Sequence, residues 1–345
     1  GYTVTCTVNG AATACDAGAN TFDLGADATT TVAVTLTDTA GNAVSASEDW
    51  YRDATDPTVS IDSCYGAACA AGHETNDADA TFSVSSDDDQ DGESLVCDIG
   101  GTTVDCTGAT VSEGSHTFTA TVTDAVGNTA SDSYTWLVDT TAPSVSISDT
   151  PDAETNSDAA DMTVTSSDDS SGLASTTCTI NDADTDCGSA LSDLDDGSYT
   201  YVATATDDAG NSAQASYTWL VDTVDPTVSL SDTPAAETNS QAADFTVTSS
   251  DASSGLASTT CTIDGAATDC GSALSGLAEG SHTYVATATD DAGNSASATF
   301  TWLVDITAPT VSISDTPAAE TNSQAADMTV TSADENDGSG LASTT

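Results

Sequence analysis

Acidic residues recur at fixed places in this sequence, where their carboxylates could bind a cation. Four Asp-x-x-Gly-Asn turns each precede a strand that contains Trp and then an Asp-x-x-x-Pro link: 38–42 with 53–57, 124–128 with 139–143, 207–211 with 222–226, and 290–294 with 305–309. Hard cations such as calcium take about six to eight oxygen ligands. Calcium is therefore a candidate cofactor at these places, with ten candidate ligands: Asp124, Asp139, Asp207, Asp208, Asp222, Asp225, Asp290, Asp291, Asp305 and Glu237.

The same acids also fit a simpler interpretation. Gly and Asn tolerate a positive φ, so Asp-x-x-Gly-Asn is a common hairpin turn, and the acids of a link can be solvated without any ion. The sequence leaves both interpretations open.

The cysteines predict disulfides rather than a metal centre, because none lies in a Cys-x-x-Cys pattern. The ten residues form five pairs, of which four are nine residues apart. If 264–267 is a four-residue loop, Cys261 and Cys270 face each other across a hairpin. The predicted pairs are Cys6–Cys15, Cys64–Cys69, Cys97–Cys106, Cys178–Cys187 and Cys261–Cys270. Disulfides indicate an oxidising compartment, so we expect an extracellular or cell-surface location.

Histidine and tryptophan give no catalytic pattern. His116 and His282 begin equivalent strands, but Tyr199 takes their place in the intervening repeat, which argues against a catalytic base. No nucleophile with a partner base can be assembled, and we predict that the chain is not an enzyme. Trp302 and its equivalents could stack on sugars, although alternation with Phe300 favours a place in the core.

The charge excludes one class of partner. One Lys or Arg against 56 acidic residues gives a formal net charge of −55, so the chain cannot neutralise phosphates and we expect no nucleic acid partner. Such a charge calls for salt or bound divalent ions to screen it. No apolar stretch reaches the roughly 18 residues that would cross a bilayer, and we expect no membrane insertion.

The elements that must position these residues repeat along the chain. Pro57, Pro143, Pro226 and Pro309 are 86, 83 and 83 residues apart. Apolar and polar residues alternate with a period of two, which predicts an all-β fold of tandem immunoglobulin-like β-sandwiches forming an elongated rod. The predicted units are 57–138, 143–221 and 226–304, with the C-terminal part of a unit at 1–52 and the N-terminal part of one at 309–345.

Strands within one unit follow from the same alternation. In 226–304 we predict strands at 226–230, 242–248, 256–263, 282–289 and 295–304. The alternation also places Tyr284, Ala286 and Ala288 on one face, which we expect to be the core face.

The combined motifs resemble bacterial Ig-like repeats. Those motifs are Cys-Thr-Ile-Asp-Gly from Cys261, Glu-Gly-Ser-His-Thr-Tyr at 279–284, Asp-Asp-Ala-Gly-Asn at 290–294, and Thr-Trp-Leu-Val-Asp-Ile-Thr-Ala-Pro at 301–309. The resemblance implies an extracellular array used as an adhesin stalk, fibre or spacer. Without Lys, this chain departs from relatives that carry Lys–Asn isopeptide cross-links.

Two functions remain after these arguments. The first is a structural repeat segment of an extracellular fibre or cell-surface stalk. The second is an adhesin module that recognises a glycan or protein receptor through unit 57–138, which alone has the Cys64–Cys69 pair and an acidic loop at 87–92.

The partial units at the two ends raise the question of partners. Residues 309–345 supply the opening strands that 1–52 lacks. Either further repeats of the same chain complete both parts, or one copy completes the next in a head-to-tail assembly. We therefore expect as partner either further repeats of the same chain or the chain itself, by head-to-tail or lateral assembly into a fibre.

Overall fold

The computed structural model describes residues 1–87, 92–316, 319, 324–325, 327–334 and 339–341. The chain divides into two compact units. The first comprises Gly1–Ser144, Ser167–Ser175 and Thr206–Ala213, and the second comprises Val145–Ser166, Thr176–Ala205 and Gln214–Thr345. Within the described residues, no helix has the length and apolar character needed to cross a membrane.

The first unit begins with a four-stranded antiparallel sheet in the order β2-β1-β3-β4. Its strands are β1 (Tyr2–Val8), β2 (Ala11–Thr13), β3 (Ala28–Asp38) and β4 (Ala43–Arg52). Alternation along β3 buries Val32, whereas Val34 and Leu36 on the same face are 37% and 42% exposed. This sheet thus has one apolar face that is largely open.

The rest of the first unit includes a sandwich of a three-stranded sheet, order β10-β7-β5, and a five-stranded sheet, order β6-β12-β11-β8-β9. The strands are β5 (Thr58–Cys64), β6 (His73–Thr75), β7 (Asp79–Asp87), β8 (Ser94–Ile99), β9 (Thr102–Val104), β10 (Gly108–Thr110), β11 (Gly114–Thr123) and β12 (Thr129–Val138). Phe82 from one sheet stacks on Phe118 from the other at 3.9 Å, with Trp136 beside them. These aromatic side chains form the centre of the core.

Strands β13–β19 form the next sandwich along the chain. A two-stranded sheet pairs β13 with β15, and a five-stranded sheet has the order β14-β19-β18-β16-β17. The strands are β13 (Ser144–Ser148), β14 (Glu154–Thr155), β15 (Thr163–Ser167), β16 (Leu173–Ile180), β17 (Ala183–Thr185), β18 (Gly197–Asp207) and β19 (Ser212–Val221). Met162, Tyr201 and Trp219 lie in its core.

The second unit repeats this arrangement with strands β20–β26. A two-stranded sheet pairs β20 with β22, and the five-stranded sheet has the order β21-β26-β25-β23-β24. The strands are β20 (Thr227–Ser231), β21 (Glu237–Thr238), β22 (Thr246–Ser250), β23 (Leu256–Ile263), β24 (Ala266–Thr268), β25 (Gly280–Asp290) and β26 (Ser295–Val304). Phe245 stacks on Tyr284 at 4.1 Å and contacts Trp302 at 5.4 Å between ring centres.

After β26 the chain forms an antiparallel strand pair, β27 (Thr310–Ser314) and β28 (Thr329–Ala333). Their apolar side chains are open to solvent: Val311 is 73% exposed and Val330 is 62% exposed. In sequence this pair is the counterpart of β20 and β22.

The prediction of an all-β fold of tandem sandwiches is confirmed by these sheets. Tyr284, Ala286 and Ala288 are buried, as the alternation predicted. The Trp residues differ from one another, because Trp136, Trp219 and Trp302 are 2% exposed in the three sandwiches whereas Trp50 is 43% exposed on the open sheet. The core interpretation of tryptophan therefore holds for three positions and not for Trp50.

Two local predictions were wrong. The strand predicted at 242–248 instead covers Thr246–Ser250, because Ala243 is held by an isolated bridge to Leu274 ahead of the strand. The loop after β23 has two residues rather than four, Asp264 and Gly265, whose φ values of 50° and 79° suit a tight hairpin turn.

That tight turn shifts the cysteine register. Cys261 lies opposite Thr268 rather than opposite Cys270. Cys270 follows the end of β24 and still reaches Cys261, with the two Cα atoms 5.2 Å apart. The structure contains the same five cysteine pairs that the sequence predicts.

Candidate functional site

The Asp-x-x-Gly-Asn turn at 207–211 closes on itself through hydrogen bonds. The Asn211 backbone N–H donates to Asp207 Oδ1 at 2.7 Å, and the Asn211 side-chain amide donates to Asp207 Oδ2 at 2.8 Å. Asp and Asn commonly bond back to a nearby backbone in this way. The turn therefore has a fixed shape, and it holds the second amide hydrogen of Asn211 free for another acceptor.

That acceptor is the link aspartate, which is the first residue of each Asp-x-x-x-Pro link. Asn211 donates to the carbonyl of Asp139 at 2.8 Å. The Asp139 carboxylate is 0% exposed, and its Oδ2 accepts the backbone N–H of Ser171 at 3.0 Å and the Ser171 hydroxyl at 2.5 Å. The Asp139 N–H donates to the carbonyl of Thr75 at 2.9 Å. The link is thus bonded on one side to β6 and on the other to 168–172 and 207–211.

The second link repeats this set of contacts. Asp222 is 0% exposed, and its Oδ2 accepts the N–H and the hydroxyl of Ser254 at 3.0 and 2.6 Å. Asn294 donates to the Asp222 carbonyl at 2.7 Å, and the Asp222 N–H donates to Thr155 at 3.0 Å. We call the link aspartate with its serine and asparagine donors the link latch.

The other two links have only part of the latch among the described residues. Asp305 Oδ2 accepts the N–H and hydroxyl of Ser339 at 2.7 and 2.9 Å. At Asp53 the Asn128 amide approaches the carbonyl at the longer distance of 3.5 Å. In the repeat that follows Asp53, the loop that corresponds to 168–172 includes residues 88–91. The acidic loop predicted at 87–92 therefore lies largely outside the described residues.

Each complete latch brings three carboxylates together. Asp139, Asp168 and Asp207 form one group, and in each of the two groups the candidate ligand oxygens lie within 4.8 Å of one another. The other group is Asp222, Asp251 and Asp290. These acidic clusters could hold a metal ion, because the donors are all oxygens. Each carboxylate oxygen has two lone pairs, so an oxygen that accepts an N–H can still bind a cation.

The electrostatics of the groups favour a cation. Hydrogen bonds satisfy the carboxylate oxygens but leave the negative charges unneutralised. Like charges about 4 Å apart repel by about 4 kcal/mol at an effective dielectric constant of about 20. The chain has a single basic residue besides its histidines, Arg52, which pairs with Asp27 at 3.3 Å. Arg52 is therefore already engaged.

The pKa values of Asp139 and Asp305 lie below the usual value for an aspartate, so these two carboxylates are ionised at neutral pH. Burial alone would raise the pKa of Asp139, but hydrogen bonds from the Ser171 hydroxyl, the Thr141 N–H and the Ser171 N–H outweigh it and hold the pKa below its usual value. The pKa of Asp305 is also lowered, chiefly by the bond from the Ser339 N–H. Both carboxylates therefore accept their hydrogen bonds as anions.

The structure brings together four of the ten predicted metal ligands: Asp139 with Asp207, and Asp222 with Asp290. In the described chain, the other six are outside these groups: Asp124, Asp208, Asp225, Asp291, Asp305 and Glu237. Asp124 instead accepts three backbone N–H groups within its own turn. The remaining assignments stay predictions.

Sequence reasoning missed the third acid and the serine of each latch. Asp168 and Ser171 lie in the repeated motif Asp-x-Ser-Ser-Gly, which recurs at 251–255. In both copies the Asp Oδ1 accepts N–H groups of its own loop, which shapes the loop and presents the second Ser to the link. The repetition of this motif at the 83-residue interval was the available signal.

The histidines make structural contacts. His282 Nδ1 lies 2.7 Å from Asp264 Oδ2 and its Nε2 lies 2.8 Å from the carbonyl of Ala278, so both ring nitrogens face acceptors. Burial lowers the pKa of His282, but the Ala278 carbonyl and the Asp264 carboxylate outweigh it and raise the pKa above its usual value. This arrangement suits an imidazolium that holds a hairpin in place.

A cleft of about 540 Å³ opens beside the Cys64–Cys69 disulfide in the first unit. Its walls include Ile61, His73, Glu74 and Trp136. His73 Nε2 and Glu74 Oε2 have no hydrogen-bond partner within the described residues. The cleft therefore has buried polar atoms whose bonding is incomplete.

Bacterial Ig-like domain models match this chain: one matches residues 143–223, and a group 3 model matches residues 100–178 and 268–345. No curated protein matches it. A tetra-tandem repeat from the extending region of a large adhesion protein is similar at 22% identity, with 88% of this chain and 92% of that chain covered and a TM-score of 0.36.

Two further solved structures are similar at lower identity. Fibronectin(III)-like modules of Clostridium thermocellum CbhA have 18% identity, cover 47% of this chain and 94% of their own, and give a TM-score of 0.32. Drosophila N-cadherin EC1-4 has 15% identity, covers 88% of this chain and 92% of its own, and gives a TM-score of 0.27.

Proposed function

This chain carries bacterial Ig-like domains in tandem, and on that premise we propose that it is a non-enzymatic structural segment of an extracellular fibre or cell-surface stalk. The observation that supports this role is the link latch, which recurs with the same three residue types at Asp139 and Asp222. A link that only tethered two domains would have exposed, solvated side chains. A buried link aspartate that donates its N–H to the preceding repeat and accepts bonds from Ser and Asn of the following repeat instead restrains bending of the link.

The domain boundaries are part of the same proposal. Units 57–138, 143–221 and 226–304 would each be one repeat, with parts of repeats at 1–52 and 309–345. Their disulfides suit an oxidising extracellular compartment. A rod-like arrangement of these repeats is what a spacer requires, and it remains a prediction from the sequence.

The role can be tested through the latch. In the full chain, Ser171→Ala with Ser254→Ala removes two latch hydroxyls, and Ser170→Ala with Ser253→Ala is the matched control on the neighbouring serines. Negative-stain imaging should show a wider spread of angles at the links in the latch variant only. An equal spread in both variants would contradict a restraining latch.

Calcium at the two acidic groups is the second part of the proposal. Calcium would bind to Asp139, Asp168 and Asp207 in the first unit. In the second unit it would bind to Asp222, Asp251 and Asp290. A bound ion would supply positive charge where this chain has none. A ligand at about 100 times its Kd stabilises the folded state by about 2.7 kcal/mol. We therefore expect the melting temperature to fall on adding EDTA and to recover on adding calcium.

Asp168→Asn with Asp251→Asn should remove the response to EDTA, because each group loses one ligand charge. Asp169→Asn is the matched control, since Asp169 is exposed and is not in the acidic groups. A melting temperature that is the same with and without EDTA would rule out calcium while leaving the hydrogen-bonded latch intact.

One observation favours a second function, recognition of a glycan or protein receptor. The cleft with His73 and Glu74 lies in the repeat 57–138, which has the additional disulfide. In the repeats 143–221 and 226–304, Ala153 and Ala236 stand at the position equivalent to His73. Glycan-array binding that is lost in His73→Ala would support recognition by this unit. Equal binding by the variant would exclude the cleft.

A further inference from the structure

The cleft beside the Cys64–Cys69 disulfide lies along a connection that is longer than its counterpart in the next repeat. His73 lies 16 residues after Pro57, whereas its equivalent Ala153 lies 10 residues after Pro143. The additional residues contain the disulfide loop. The cleft opens where this connection meets β12, since residues 71–74 and 133–137 both line it.

The hydroxyl of Tyr134 has no partner in this cleft, although its equivalent in the next repeat is bonded. There the Tyr217 hydroxyl donates to the main-chain carbonyl of Pro151 at 2.6 Å. Tyr134 lines the cleft and is 7% exposed, and its hydroxyl makes no hydrogen bond to any described residue. Burial raises the pKa of this hydroxyl, so it stays protonated as a donor at neutral pH. Because a buried polar group is costly to leave unbonded, the cleft favours a ligand with a carbonyl at this place.

The direction of the main chain in β12 follows from the turn that precedes it. The Asp124 N–H donates to the Asn128 carbonyl at 3.0 Å and closes the hairpin of β11 and β12. In an antiparallel pair the bonded residues alternate, so the even-numbered residues of β12 bond to β11. The main-chain groups of the odd-numbered residues therefore point to the opposite edge of the strand.

That opposite edge has a free position at the cleft. The strand β6 pairs with β12 only from Trp136 onwards. The Ser133 N–H is already bonded to the neighbouring Asp132 carboxylate at 2.9 Å. Between them, Thr135 lines the cleft and has no strand opposite it on this edge among the strands that the structure describes. Its main-chain groups can pair with an added extended segment.

Charge determines which segment fits. Glu74 Oε2 is buried and without a hydrogen-bond partner in the described part of the chain, and the whole chain has a formal net charge of −55. An acidic ligand is repelled by this charge, whereas Lys or Arg side chains are attracted to it and guided towards the cleft.

We propose that the cleft binds an extended basic peptide segment of a partner protein. A main-chain carbonyl of the peptide accepts the Tyr134 hydroxyl, as the Pro151 carbonyl accepts that of Tyr217. The peptide backbone pairs with Thr135, and a Lys or Arg side chain lies beside Glu74. The inference rests on the recognition function of the repeat 57–138 and names its class of ligand, and it depends neither on the link latch nor on calcium.

The test is an NMR titration of the labelled full chain with two synthetic peptides, followed at the Thr135 amide. A concentration of about 0.15 M salt screens general attraction to the acidic surface. The probe is acetyl-Lys-Thr-Pro-Lys-Ala-amide, and the control has the acidic sequence of residues 149–153, acetyl-Asp-Thr-Pro-Asp-Ala-amide. We expect the basic peptide to give a saturable shift and the acidic peptide to bind at least about 10-fold more weakly.

Two variants identify the groups that bind the peptide. Tyr134→Phe removes only the hydroxyl, and Phe300 stands at the equivalent position of a folded sandwich. We expect this variant to bind the basic peptide about 10-fold more weakly. Tyr217→Phe is the matched control in the next repeat and should leave the titration unchanged. Glu74→Gln should weaken binding of the basic peptide and reduce its dependence on salt.

The inference would be overturned by the absence of a saturable shift up to about 10 mM basic peptide. Equal binding by Tyr134→Phe, or equal binding of the acidic peptide, would overturn it as well. Glycan-array binding that is lost in His73→Ala, without any peptide binding, would refute the peptide assignment and leave recognition by this repeat in place. If neither glycans nor peptides bind, the recognition function fails together with the inference.

Discussion

Removal of one hydroxyl from a link latch should loosen that link by an amount that the structure allows us to calculate. The Ser171 hydroxyl donates to the Asp139 carboxylate at 2.5 Å, and the carboxylate is out of contact with water. Hydrogen bonds to charged groups contribute about 1.5–3 kcal/mol. In Ser171→Ala the backbone N–H at 3.0 Å remains, so the carboxylate keeps one of its two donors on that oxygen.

We therefore expect the free energy of opening this link to fall by about 2 kcal/mol, which is about a 30-fold increase in the open population. Hydrogen exchange of the full chain, followed by mass spectrometry of peptides covering 139–143 and 168–172, measures this population. The unaltered latch at Asp222 serves as an internal reference in the same molecule. Ser170→Ala is the control, because its hydroxyl makes no hydrogen bond among the described residues.

The same latch should weaken in acid. The pKa of Asp139 is lower in the folded chain than the value of about 3.9 expected in an unfolded one. Its contribution to stability is therefore complete above about pH 4 and is lost as the pH falls through the folded-state pKa.

Hydrogen exchange at 168–172 that is unchanged in Ser171→Ala, or that matches the exchange in Ser170→Ala, would refute the reasoning about the latch.

Three further outcomes follow from contacts in the second unit. His282 should titrate above about 6.5 in an NMR pH titration, because its pKa is raised in the folded chain. The contribution of His282 to the free energy of unfolding should be present below that pH and lost as the pH rises through the raised pKa. His282→Gln should abolish this pH dependence. Phe245→Ala should destabilise its sandwich by about 3–5 kcal/mol in urea unfolding, against a negligible change for exposed Val224→Ala. Cys178→Ser with Cys187→Ser should cost about 2–3 kcal/mol by calorimetry, and an unchanged transition would contradict a stabilising disulfide.

The sequence predicts the repeated part of this fold well because the repeat shows itself in several independent patterns. The alternation around Tyr284 identifies a buried face, and this face is 1% or less exposed at Tyr284, Ala286 and Ala288. Such a pattern is local, since neighbouring side chains of a strand point to opposite faces. Turn chemistry could have corrected the cysteine register, because Asp264-Gly265 is a strong signal for a two-residue hairpin turn.

The site was harder to predict because its residues come from three separate stretches of chain. Nothing in the local pattern around Asp139 indicates that Ser171, 32 residues further on, donates to it. The sequence indicates only that the turn Asn tolerates a positive φ, whereas in the structure the side-chain amide of Asn211 also donates to the carbonyl of Asp139 in the preceding link. Acids that share a motif also separate in space: Asp207 joins a group of three carboxylates, while adjacent Asp208 is exposed.

The ion pair between Arg52 and Asp27 has a consequence for digestion by proteases. Trypsin-like enzymes cut after Lys or Arg, and this sequence has one such residue in 345. Arg52 ends β4, where its backbone is paired with Ala28 and its guanidinium donates to the Gly25 carbonyl at 3.1 Å. Local opening of β4 must come before cleavage, so the edge of one sheet governs how long the intact chain survives such an enzyme.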